Sequence, residues 1–202
     1  MKLYIIRHGE TEWNKVKRLQ GQTDIPLAEE GIRLARETGA GMKDEPIDLV
    51  ISSPLTRAVQ TAKLLTEGRN IPILTDERII EISFGEWEGE CILDSEVLPS
   101  EFRKFFYEDP LHCICPPGGE TFDEVRIRTG LFFQSLVENP EYEQKNILIS
   151  THGAASRCLL TQFYEEKDDI WRGGVPKNCA VTIVEVSGGV GTVVEKDRLY
   201  YE

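Results

Sequence analysis

Three times in this chain a short apolar run ends in polar residues and gives way to a helical pattern. Lys2-Leu3-Tyr4-Ile5-Ile6 is the first run, Asp48-Leu49-Val50-Ile51-Ser52 the second and Asn146-Ile147-Leu148-Ile149-Ser150 the third. Short unbroken apolar runs without polar alternation suit strands buried on both faces, and such strands belong to parallel sheets covered by crossover helices. Helical spacing appears after each run. Leu27, Ile32 and Leu34-Ala35 mark residues 27–42, reached through a polar stretch ending at Pro26. Leu55, Ala58, Val59, Ala62 and Leu65 follow Pro54, a residue suited to a first helical turn, and a further helix runs from Ala154 to Phe163. Ile71–Leu74 predicts another strand, and Phe122, Val125, Phe132, Phe133 and Leu136 predict a helix over 120–138. Val181–Val186 and Thr192–Lys196 read as a terminal hairpin turning at Ser187-Gly188-Gly189. The fold expected is a three-layer α/β/α sandwich around a mostly parallel sheet.

A chain of 202 residues, 40% of them hydrophobic, suits a single domain over 1–202. Residues 90–119 interrupt the alternation with prolines and a helical stretch near Phe102–Tyr107, and are expected to form a lid or insertion over one end of the sheet. Against 35 acidic residues stand 23 Lys and Arg, a net charge of −12, which argues against nucleic acid as a partner. No apolar run reaches the roughly 20 residues of a membrane span, and Arg7 and His8 cut short the only N-terminal one, so neither a membrane nor an export route is expected. Five irregularly spaced cysteines read as reduced thiols, which points to the cytoplasm. His112-Cys113-Ile114-Cys115 lacks a second ligand pair, so no metal or other cofactor is expected. Nothing in the sequence speaks to oligomeric state.

The chemistry gathers where strands end. Arg7-His8-Gly9-Glu10-Thr11 follows the first run, and Ser150-Thr151-His152-Gly153 the third. In an open parallel sheet the carboxyl ends of the strands form the ligand crevice. An arginine there offers a fork for phosphate or carboxylate, and an imidazole offers a nucleophile or base. Taken singly, either histidine reads as a core residue satisfied by its neighbours. Two of the chain's three histidines in equivalent glycine-flanked positions strain that explanation. Ser52-Ser53-Pro54-Leu55-Thr56-Arg57 adds a second arginine one turn into a helix whose N-terminus favours an anion. Glu81-Ile82-Ser83-Phe84-Gly85-Glu86-Trp87-Glu88-Gly89 adds three carboxylates among aromatics, a setting for a proton donor. Two histidines, two arginines and an acid around one crevice suit phosphoryl transfer without a metal.

Arg7-His8-Gly9-Glu10-Thr11-Glu12-Trp13-Asn14 resembles the motif of the histidine phosphatase superfamily, the phosphoglycerate mutase-like proteins. The resemblance continues in family order through Gln20-Gly21, Ser52–Ala58, Glu81 with Phe84–Gly89, Pro117–Thr121 and Thr151-His152-Gly153. It implies the superfamily's α/β sandwich, with His8 as the nucleophile that becomes phosphohistidine. Arg7, Arg57 and His152 match the pocket for the non-bridging phosphate oxygens, and Gly153 closes that motif. Asn14 matches a further phosphate-binding side chain, Gln20 and Gly21 the loop against the rest of the substrate, and Glu81 the proton donor. The mutases carry a longer insertion after the acid, with a lysine and paired arginines. Residues 90–119 here hold Arg103-Lys104 as their only Lys or Arg, against six acidic residues. The expected activity is therefore a metal-independent phosphomonoesterase of the histidine acid-phosphatase type, acting on a small phosphorylated metabolite. Phosphoglycerate mutase is the alternative, and a non-catalytic module binding a phosphorylated ligand a third reading.

Overall fold

The computed structural model describes residues 1–201. Strands β1 (Lys2–Arg7), β2 (Leu49–Ser52), β3 (Ile73–Thr75), β4 (Asn146–Thr151), β5 (Val181–Ser187) and β6 (Val190–Arg198) form one sheet in the order β3-β2-β4-β1-β5-β6. The first four in that order run parallel, and the β5–β6 hairpin adds an antiparallel edge. Side chains of successive strand residues point to opposite faces, and the two faces have separate cores. Leu3, Ile5, Leu49, Ile51, Ile147 and Ile149 share one cluster with Phe132 and Leu136 of α5 (Phe122–Glu138) and Leu159 and Leu160 of α6 (Gly153–Leu160). Tyr4, Ile6, Val50 and Leu148 share the other with Ala35 of α2 (Glu29–Gly41) and Ala62 and Leu65 of α3 (Thr56–Leu65). The three-layer sandwich and mostly parallel sheet expected from the sequence are thus present.

Some element boundaries differ from the sequence reading. The polar stretch after β1 contains a short helix, α1 (Glu12–Lys15). A reciprocal cap makes it: Thr11 Oγ1 accepts from the Asn14 amide N–H while Asn14 Oδ1 accepts from the Thr11 N–H. The third strand is shorter and later than Ile71–Leu74. The last helix tightens into a 3₁₀ turn over Thr161–Phe163.

A third core caps one end of the sheet. Residues 90–119 supply α4 (Ser100–Glu108), which buries Phe102 and Phe106 against Phe84, Trp87, Phe122 and Trp171. Phe106 lies 5.2 Å from the Trp171 ring and 5.7 Å from that of Phe84. Burial of two phenylalanines stabilises this cap by about 1.5–3 kcal/mol each. Among the described residues no helix is long and apolar enough to cross a membrane.

Candidate active site

The sheet register brings the two histidines together. Arg7 on β1 is the partner of Thr151 on β4, so His8 and His152, one residue further along each strand, emerge side by side. Their rings meet edge to face with centroids 5.1 Å apart. Ser52 pairs with Ser150, which sets Ser53 beside them. His8 is 2% and His152 0% exposed.

His8 Nδ1 lies 2.7 Å from the Gly9 carbonyl oxygen. A carbonyl only accepts, so Nδ1 carries the proton and Nε2 keeps its lone pair. Burial, then the charges of Arg57 and Arg7, hold the His8 pKa well below the ordinary imidazole value, so the ring is neutral at neutral pH. Arg7 reaches the pocket from the same strand end. One guanidinium nitrogen donates to the Pro176 carbonyl, while Nε is buried with no hydrogen-bond partner. An unpartnered buried donor on a guanidinium marks a place for an oxyanion. A Cβ on Gly153 would lie 3.7 Å from both Arg7 Nε and Glu81 Oε2, so the arginine and the acid converge over this glycine.

Arg57 is fully buried, and burial pushes its pKa down to about 10, which leaves it charged at neutral pH. It donates to Gly21 O at 2.6 Å and Thr23 O at 2.8 Å, and through Nε to His152 Nδ1 at 3.3 Å. His152 therefore accepts on Nδ1 and donates from Nε2 to Ser53 Oγ at 2.7 Å. Both of its nitrogens are engaged within the protein.

The two helix N-termini of the crevice hold carboxylates of the chain itself. Asp24 accepts from Thr56 N and Thr56 Oγ1, both at 2.7 Å, at the start of α3. Glu81 accepts from Ala155 N at 2.9 Å and Ala154 N at 3.3 Å at the start of α6, and from Ile82 N at 3.0 Å. The anion that the sequence places at α3 is thus Asp24, and charge for a ligand comes from the guanidiniums.

These side chains open onto a cavity of about 510 Å³ lined by Arg7, His8, Arg57, Glu81, Gly153 and the expected Asn14, Gln20 and Gly21, among others. The model of the histidine phosphatase superfamily (branch 1) matches residues 3–197. The chain belongs to that superfamily. A Bacillus subtilis protein named "Uncharacterized phosphatase PhoE" is 39% identical over 160 residues, 78% of this chain and 75% of that one. A Proteus mirabilis protein named "Probable phosphoglycerate mutase GpmB" is 33% identical over 161 residues, 80% of this chain and 74% of its own. The solved structure of Bacillus stearothermophilus YhfR superposes with a TM-score of 0.91 at 34% identity, covering 100% of this chain and 99% of that one.

In this member of the superfamily the two cations of residues 90–119 stay outside the pocket. Arg103 donates to Ser95 O at 2.7 Å and Lys104 lies over the Phe105 ring, and neither lines the cavity. Residues 90–119 contribute Ile92, Phe106 and Tyr107 instead. Cations at the mouth come from elsewhere: Lys17 and Arg18 after α1, and Lys177. Gly9 serves packing, because a Cβ there would fall 2.6 Å from the Gly31 carbonyl oxygen of α2.

Several supporting contacts exist only in the fold. Glu88 accepts from Gln22 N and Thr23 N, both at 2.8 Å, and from Phe84 N at 3.2 Å. It thereby shapes the loop whose carbonyls hold Arg57. Gly21 has φ +53° and a Cβ there would strike Glu88, so glycine is required on both counts. On the far side Arg157 grips Asp197 at 2.6 Å and donates to Gly174 O, which ties down the loop that carries Pro176 to Arg7.

Proposed function

We propose that this protein hydrolyses a small phosphate monoester through a phosphohistidine on His8. The observation that carries the reading is the imidazole itself: buried, neutral, with Nδ1–H fixed on Gly9 O and Nε2 left for the pocket beside the unpartnered Nε of Arg7. Nε2 attacks phosphorus, the ester P–O bond breaks, and the leaving alkoxide takes a proton from Glu81. Water then attacks the phosphohistidine, Glu81 accepts a proton from it, and His8 is released with inorganic phosphate. Arg7 and Arg57 carry the charge that builds on the non-bridging oxygens, a role a metal plays in other phosphoryl-transfer sites. Asn14 adds a donor, while His152 acts by aiming Arg57. Glu81 Oε2 suits the proton, since its only amide partner is the longer bond to Ala154 N.

Phosphoglycerate mutase is the second reading, supported by the GpmB relatives and by Lys17, Arg18 and Lys177 at the mouth, which suit a second anionic group. Hydrolysis is favoured because residues 90–119, read as a lid, give the leaving group an apolar wall of Ile92, Phe106 and Tyr107 and no cation. One preparation tests both: phosphate release from 3-phosphoglycerate against its conversion to 2-phosphoglycerate, primed with the bisphosphate. Efficient isomerisation with little free phosphate overturns the phosphatase reading.

A further inference from the structure

We propose that Arg128 and Glu120 form a positioning pair that sets the general acid Glu81 against the phosphate-binding arginines. The inference rests on the reading of Glu81 as proton donor. Arg128 lies in the middle of α5, where sequence alone makes it a solvated face residue, yet its side chain is only 17% exposed. Every nitrogen of its guanidinium is directed at the acid's segment or at Glu120. Nη1 donates to Arg78 O at 2.9 Å and Ile80 O at 2.7 Å, and Nη2 to Glu81 O at 3.0 Å. Nε and Nη2 grip the two oxygens of Glu120 at 2.9 and 3.0 Å.

Glu120 completes the clamp from the other side. Its backbone N–H donates to Ser83 O, and its Oε2 accepts from Ser83 N, both at 2.9 Å. The same Oε2 accepts from Gln22 Nε2 at 3.2 Å, which also reaches Glu81 O at 3.1 Å. Residues 80–84 belong to no strand or helix, so side chains replace a ladder in fixing them. Gln22 sits between Gly21 and Thr23, whose carbonyls hold Arg57. The pair thus fixes the acid relative to the phosphate fork and not only to its own helix. A proton donor must reach its oxygen to within hydrogen-bond distance, and a displacement of about 1 Å costs on the order of 10²-fold in rate.

The test separates positioning from general stability by leaving group. Glu81→Gln, Arg128→Met, Glu120→Gln and the double variant Glu81→Gln with Arg128→Met are assayed on p-nitrophenyl phosphate, whose leaving group needs little protonation, and on glycerol 2-phosphate, whose alkoxide needs it. Arg128→Met is expected to lower kcat/KM, which reports only the steps up to the phosphoenzyme, by about ten-fold or more on glycerol 2-phosphate, with a much smaller loss on p-nitrophenyl phosphate. Added to Glu81→Gln it should cost almost nothing further on glycerol 2-phosphate, because an absent acid cannot be misplaced. Glu120→Gln keeps the volume and an accepting oxygen, and carries the same comparison should Arg128→Met not fold. Equal losses on both substrates, or a full additional loss in the double variant, overturn the pair while leaving Glu81 as the acid. Equal losses for Glu81→Gln itself overturn the acid reading and the pair with it.

Discussion

His8 and His152 should make this protein lose stability as the pH falls below about 6.5, and the size of the loss follows from their burial. Both rings are held well below the ordinary imidazole pKa by burial first, then by Arg57. The folded pKa lies under the unfolded one, so on acidification the unfolded chain takes up protons that the folded chain refuses. The stabilising effect of the neutral state is full above the unfolded value near 6.5 and drains as the pH drops beneath it. While the folded rings stay neutral, each costs about 1.4 kcal/mol one unit below that value, or about 2.8 kcal/mol for the pair. Domains have roughly 5–15 kcal/mol of stability, so this is a large share. Urea unfolding at pH 7.5, 6.5 and 5.5 should show it, with a double variant His8→Asn, His152→Asn as reference. The wild type should lose about 2.7 kcal/mol more than the variant between pH 7.5 and 5.5, about 2 kcal/mol of it across the lowest unit. His112 is an internal control: exposed, its pKa is raised by Asp109, and it is common to both proteins. Nitrogen spectra of the three rings at pH 6 should show two neutral and one protonated. Parallel stability curves, or a protonated His8 at that pH, would refute the reasoning.

Replacement of His8 by alanine should abolish turnover and, alone among the site variants, the acid-labile phosphoenzyme. Trapping with labelled substrate in an alkaline denaturing quench, followed by loss of the label on acidification, reads this directly. Glu88→Ala strips an acceptor from three backbone amides and loosens the carbonyls that hold Arg57. A stability loss of about 2 kcal/mol or more and a raised KM for every phosphate ester are expected, by denaturation and steady-state kinetics. Lys17→Ala with Arg18→Ala should weaken kcat/KM for 3-phosphoglycerate by about ten-fold, as loss of rim charges does. The same change should leave p-nitrophenyl phosphate nearly untouched, and added salt should erase the difference.

What the sequence reveals and what it hides follow the same physical line. Arg7, His8, Arg57 and His152 were legible because each sits at or just past the end of a buried strand, or one turn into the helix that follows, and both the strand and its polar terminus leave a local mark. Register then did the rest: pairing Arg7 with Thr151 obliges the two histidines to meet. Arg103 and Lys104 show the limit of composition, which counts the cations of a segment but not which way a helix turns them. α4 points Phe102 and Phe106 inward and leaves those two outside the pocket. Arg128 and Asp24 left no mark, and Glu120 and Glu88 lie in recognisable segments that do not reveal their partners. Arg128 lies 47 residues from Glu81, and Glu88 lies 66 from Gln22, so each pairing exists only once the sheet has brought its loops together. The first group places reactive atoms and the second fixes their angles. A motif match therefore carries over the residues proposed as nucleophile and acid, while the contacts that hold the Glu81 segment in place exist only between loops the fold brings together.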